Sequence, residues 1–174
     1  MEFELNKKYY FKNNFNGLVE TNSTVFITLE DNTLVFSYDI QDDVIFSPYK
    51  VDNEDIWNHD VVEVFISFNG KREVYYEYEL SPYNVRFYGI IDNPTLCKPN
   101  LTKLDCNFKS SVEITDTGYK AKIYIDLPED STLDDVLLNV FNVDSDGADV
   151  SYYSINPTLN PTFHLGTHLC KIVK

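Results

Sequence analysis

From Val61 to Phe68 apolar and polar positions alternate, so that Val62, Val64, Ile66 and Phe68 fall on one side of an extended segment and Val61, Glu63, Phe65 and Ser67 on the other. Glu73 to Ser81 repeats the pattern, with Val74, Tyr76, Tyr78 and Leu80 on one face and Glu73, Tyr75, Glu77, Glu79 and Ser81 on the other. The same periodicity predicts strands at Phe3 to Phe11, Thr24 to Leu29, Thr33 to Ile40, Asp60 to Phe68, Glu73 to Leu80, Val85 to Ile91, Asn107 to Ile114, Tyr119 to Leu127, Leu137 to Val143, Val150 to Ile155 and His168 to Val173. Turn residues separate them at Glu30-Asp31-Asn32, Asn69-Gly70, Ser81-Pro82 and Asp116-Thr117-Gly118. Pro128 to Asp135 is the one segment that reads as a short helical turn, with acidic residues near its start. Many short strands at this spacing predict an all-β fold, an antiparallel β-sandwich of the jelly-roll or immunoglobulin-like kind. Two longer loops, Gln41 to Asn58 and Asp92 to Asp105, interrupt it, and no repeat or linker divides residues 1–174 into more than one domain.

Trp57, the only tryptophan, lies six residues before Glu63. An aromatic plate beside a carboxylate is what a sugar needs, a flat surface for its C–H face and an acceptor for its hydroxyls. A strand glutamate facing water is the plainer reading of Glu63. If the strand at Glu73 pairs with the one before it, Glu77 or Glu79 comes close to Glu63, and such carboxylates repel unless a cation or donor stands between them. Arg86 and Tyr88, on the next strand, are the candidate donors, and a solvated ladder of surface ion pairs is the alternative.

Composition narrows the partners. The chain carries 14 basic against 28 acidic residues, net −14, which argues against nucleic acid, since affinity for a phosphate backbone comes from Lys and Arg. No apolar run approaches the roughly 20 residues that span a bilayer, and an acidic surface is repelled by anionic lipid, so no membrane partner is expected. Neutral ligands and cations remain. The opening MEFELNKKYYF lacks the apolar stretch of a signal peptide, so a cytoplasmic location is expected of the sequence as it stands, an extracellular one if it is a trimmed piece. Cys97, Cys106 and Cys170 show no metal or redox spacing and read as free thiols.

Trp57-x-x-Asp60-x-Val62-Glu63-Val64-Phe65-Ile66, then Tyr75 to Leu80, Gly118-Tyr119, Asn139 to Asp144, and the closing Asn156 to His164 before Leu165-Gly166 together resemble the family 9 carbohydrate-binding modules and their DOMON-like relatives. The resemblance runs from about Thr24 to the end. It implies a sandwich that binds mono- or disaccharide ends, of the glucan or xylan type, between two aromatic rings, with calcium ions stiffening nearby loops. It matches Trp57 to the first ring, Glu63 to the hydroxyl-binding carboxylate, Phe163 to the second ring and Asn160 to a nearby hydroxyl-binding asparagine. The family's sugar-binding arginine falls at Glu79 and a second asparagine at Ser81, both departures, with Arg86 as a replacement cation. Tyr75 and Glu77 complete the expected binding set. Such modules usually accompany a catalytic domain elsewhere in the protein.

The DOMON-like haem carriers use Met and His, whereas the one methionine here is Met1, so no haem is expected; His59, His164 and His168 read as loop or capping residues. Asp144-x-Asp146-Gly147-x-Asp149 gathers three carboxylates in a short turn and is the candidate calcium site, with Asp52, Asp55 and Asp60 a second cluster and an acidic hairpin turn the alternative. Glu63 and Glu79 could pair as acid and base on a glycosidic bond, yet no nucleophile elbow, phosphate loop or Ser/His/Asp set accompanies them. Non-catalytic saccharide binding is therefore the expected function. A structural or protein-interaction sandwich that has lost its sugar site is the second reading, and a glycosidase-like activity the third.

Overall fold

A computed structural model describes residues 2–96 and 98–174, so Met1 and Cys97 lie outside the described residues. Among the described residues fourteen strands run in chain order: β1 (Glu2–Glu4), β2 (Lys7–Tyr10), β3 (Lys12–Asn13), β4 (Thr24–Glu30), β5 (Thr33–Gln41), β6 (Val61–Ser67), β7 (Val74–Leu80), β8 (Arg86–Asp92), β9 (Asn100–Lys103), β10 (Lys109–Thr115), β11 (Gly118–Asp126), β12 (Leu137–Ser145), β13 (Val150–Ser154) and β14 (Cys170–Val173). One sheet has the order β1-β14-β12-β6-β7-β8-β9, with β13 and β3 continuing beside β12; the other has the order β10-β11-β5-β4-β2. The pairings are antiparallel except β1 on β14, which is parallel.

The alternation in β6 does what the pattern demands. Val62, Val64 and Ile66 enter the core between the sheets with Leu80, Leu138 and Val140, against Val25, Ile27, Phe36, Ile40, Tyr119, Ala121 and Ile123 of the second sheet. The other face of the first sheet is also covered. All seven residues of β6 are buried, because residues 42–60 and 155–169 fold over that face. Two further apolar clusters form there, one around Phe65, Tyr75, Ile91 and Phe141, the other around Ile56, Val61, Val85, Phe87 and Val143, and Phe163 packs against both.

Besides the added two-residue strand β3, the expected strands are present with three differences. Phe3 to Phe11 is two strands in different sheets: the Leu5 amide donates to Val173 of one sheet and the Asn6 amide to Ile27 of the other, across a left-handed backbone at Asn6 (φ 60°). β9 lies inside the expected loop Asp92 to Asp105; its four residues are exposed, so no alternation betrays it. The expected helical turn shortens to a 3-10 turn at Leu133–Asp135, and similar turns stand at Ile56–Asn58 and Gly166–His168.

Candidate functional site

Register brings three glutamates together on the outer face of the first sheet. Glu63 of β6 stands opposite Glu79 of β7, and Glu77, two residues back, stands opposite Phe65. A carboxylate oxygen of each lies within 4.8 Å of the other two. Glu63 is 2% exposed, Glu77 5% and Glu79 0%, and neither oxygen of Glu79 has a hydrogen-bond partner beyond the neighbouring Glu77 carboxyl. Like charges about 4 Å apart repel by roughly 4 kcal/mol per pair even at an effective dielectric of about 20. Three bare charges cannot persist there. Burial pushes Glu77 up to about 7 and Glu63 and Glu79 well above the usual carboxylate range, with the neighbouring carboxylates adding to the last two.

Above the glutamates lies a groove of about 390 Å³, lined by Trp57, Asn58, Glu63, Phe65, Glu77, Leu101, Val143, Tyr152, Pro161, Thr162, Phe163 and His164. Trp57 comes from the 3-10 turn after Asp55, is half-buried, meets Phe87 edge to face at 5.1 Å and has the Lys103 ammonium 5.5 Å from its ring centre. Phe163 stacks on Phe141 at 4.2 Å and 22°, so one of its faces is occupied, while Tyr152 meets it at 81°. Tyr75 is buried beside the groove; its hydroxyl lies 2.8 Å from Nδ1 of His164, whose imidazole stacks on Phe65 at 4.9 Å. Burial holds His164 down at about 4, a neutral ring at neutral pH.

The structure thus brings Trp57, Glu63, Tyr75, Glu77, Glu79 and Phe163 to one place. Arg86 and Tyr88 are elsewhere. Arg86 stands opposite Leu80 and Tyr88 opposite Tyr78, so both point to the other side of the sheet from the glutamates. Arg86 Nε and Nη2 donate to Asp52 (3.1 and 2.6 Å) and Nη1 to the Phe108 carbonyl, while Tyr88 packs on Tyr78 at 4.5 Å. Asn160 is exposed and holds its own loop, its side-chain oxygen accepting from the Thr162 amide and its carbonyl from Asn14. Ser81 caps the β7–β8 turn by accepting from the Tyr83 and Val85 amides. Sequence reasoning missed His164, Leu101 and Tyr152. The place of His164 beside Phe163 was a usable signal for the first; the other two sit on an edge strand and on β13, where no apolar alternation marks an inward face.

The acidic turn is rearranged as well. Asp144 gathers not with Asp146 and Asp149 but with Asp42 and Asp60, an oxygen of each within 4.8 Å of the others. Asp146 accepts from the Ala148 and Asp149 amides and closes its own turn, and Asp149 is exposed. Asp52 is committed to Arg86 and Asp55 to Lys103, so neither joins Asp60. Asp60 accepts from the Phe46 and Ser145 amides, and burial pushes it up to about 8 despite those bonds. The hydroxyl of Tyr119 is buried without a partner and feels the charge of all three aspartates.

Residues 4–164 match the family described as "Carbohydrate family 9 binding domain-like". An "Extracellular protein" of Arthroderma benhamiae is 29% identical over 92 residues, 51% of this chain, and the chain spans 41% of that relative's length. Among solved structures, a Bacteroides uniformis protein thought to bind carbohydrate superposes with a TM-score of 0.76 at 12% identity, over 94% of this chain and 85% of that one. A family 9 carbohydrate-binding module from Caldicellulosiruptor kristjanssonii in complex with cellotriose gives 0.70 at 12% identity, over 99% and 92% of the two chains. The same organism's module in complex with glucose gives 0.72 at 12% identity, over 99% and 96%. At that identity the likeness concerns the fold.

Proposed function

Because the chain belongs to the carbohydrate family 9 binding domain-like family, whose members bind carbohydrate without catalysis, we propose that its groove holds the end of a glucan- or xylan-type saccharide. One observation carries this reading: Trp57 and Phe163 line the same groove as the carboxylates of Glu63 and Glu77. The rings offer apolar faces to sugar C–H groups, and the carboxyls accept or donate hydrogen bonds to hydroxyls according to their protonation. The structures with cellotriose and glucose show related folds holding such ligands and support the choice of ligand class. Each stacked ring contributes about 0.5 to 1.5 kcal/mol beyond area burial, so an open site of this kind binds in roughly the micromolar to millimolar range.

Calcium belongs to the same proposal, at Asp42, Asp60 and Asp144 rather than in the turn from Asp144 to Asp149. The orphaned Tyr119 hydroxyl and the mutual approach of the three carboxylates fit a hard cation. Bound there, it would neutralise the cluster and tie residues 42–60, which carry Trp57, to β12. In a longer protein the module would hold an attached catalytic domain on its polysaccharide.

Titration with glucose, cellotriose and xylobiose, followed by Trp57 fluorescence and calorimetry, tests the reading. The expected result is saturable quenching or enhancement that Trp57→Ala abolishes, with affinity reduced at least tenfold while the chain stays folded. Unchanged emission with all three sugars, and no heat of binding, would overturn it.

A further inference from the structure

We propose that Glu63, Glu77 and Glu79 hold a second divalent cation of the calcium class on the floor of the groove, and that this ion, rather than a basic side chain, meets the sugar hydroxyls. The second half rests on the saccharide reading above; the first does not.

Strand register alone assembles the three carboxylates, and one oxygen of each lies within 4.8 Å of the others. A hard cation keeps its oxygens at about 2.3 to 2.6 Å, so ligands on one ion stand at most about 5 Å apart. The oxygens therefore already have the spacing of a shared ion. Glu79 supplies the independent sign. It is 0% exposed, and neither of its oxygens meets a donor outside the carboxyl cluster itself, a condition a buried carboxylate meets only at considerable cost.

Among the described residues no Lys or Arg forms an ion pair with the cluster, and the Lys103 ammonium acts on Glu79 only from a distance. Arg86 is on the far face with Asp52, and Lys103 is held by Asp55 and the Asn53 carbonyl at the rim. His164 turns Nε2 toward Glu77 at 4.0 Å while its Nδ1 meets the Tyr75 hydroxyl, and burial keeps that ring neutral. Access favours an ion over a larger cation. Glu63 and Glu77 line the groove, whereas Glu79 is fully buried and does not line it, too deep for a sugar-borne ammonium. Such an ion takes six to eight oxygens, of which three carboxylates supply three to six. The positions left open face the groove, where two neighbouring ring hydroxyls can occupy them.

The test uses the full chain stripped with chelator. Calorimetric titration with CaCl2 should show one fewer ion bound in Glu79→Gln and in Glu77→Gln than in the unsubstituted chain, with circular dichroism confirming that each variant is folded. Two variants guard against the failure of one. Cellotriose affinity of the unsubstituted chain should fall at least tenfold in EDTA and recover with calcium, and in calcium Glu79→Gln should bind at least tenfold more weakly than the unsubstituted chain, keeping only the share of the EDTA response that the Asp42, Asp60 and Asp144 ion supplies. Equal ion stoichiometry in all three proteins would overturn the site. Cellotriose binding that ignores EDTA would overturn the bridging role and leave the saccharide reading standing. An ion lost in the variants, with no sugar bound by any protein, would support the cation site and sink the saccharide reading instead.

Discussion

At the scale of single residues, Glu79 concentrates the conflict in this molecule. With no ion present it is a buried carboxylate facing two others, and Glu79→Gln replaces that repulsion by an amide whose N–H can donate to Glu63 or Glu77. The variant should therefore be more stable than the unsubstituted chain in chelator by about 1 to 2 kcal/mol, read by urea unfolding. Arg86 behaves oppositely. It ties residues 42–60 to β8 through Asp52 and to the Phe108 carbonyl, so Arg86→Ala should cost about 1 to 2 kcal/mol and change cellotriose affinity less than twofold. Trp57 and Glu63 were legible because an aromatic and a carboxylate stand out against an apolar pattern, and Phe163 through the family resemblance. Arg86 and Tyr88 were misplaced because chemical aptness was weighed above parity: Arg86 pairs with Leu80, a core position, and its side chain follows that face. His164 was passed over as a capping residue, since its role depends on the contact with Tyr75, 89 positions away.

Elements came through more faithfully than the covers laid over them. A period of two is an intrinsic property of a strand, so β4 to β8 and β10 to β12 could be read from the chain within a residue or two, whereas edge strand β9 offers no buried side to reveal it. That residues 42–60 and 155–169 would bury the polar-looking face of β6 and β7 was not legible, because loops settle by contacts with distant sequence. Two glycines show where elements meet tightly. A Cβ on Gly89 would stand 2.6 Å from Cδ1 of Leu101, the tip of a flexible side chain that lines the groove. Gly89→Ala should cost less than about 1 kcal/mol yet displace Leu101 and alter cellotriose affinity several-fold by calorimetry. Gly118 is different. It sits at φ 143° where a Cβ would fall 2.0 Å from the Ile40 carbonyl, so Gly118→Ala must shift backbone in the β5–β11 pair and should cost about 3 kcal/mol or more in thermal unfolding.

For the molecule as a whole, a net charge of −14 and two carboxylate clusters make hard cations the natural counterweight. A ligand that binds only the folded state at about a hundred times its Kd adds about 2.7 kcal/mol, worth roughly 5 to 10 °C in Tm for a domain of this size. Calcium should raise Tm by about that amount over EDTA, and Asp60→Asn should remove much of the gain. The sandwich also fixes how the chain would bear load. β1 lies parallel to β14, three strand spacings or about 14 Å from β6 across the sheet. Traction between the two termini would slide these strands lengthwise, so that the contacts from Glu2 with Lys171 to Glu4 with Val173 resist together instead of peeling apart singly. A tether at either end would then grip the domain along this seam while its ligand-bearing surface stays unobstructed.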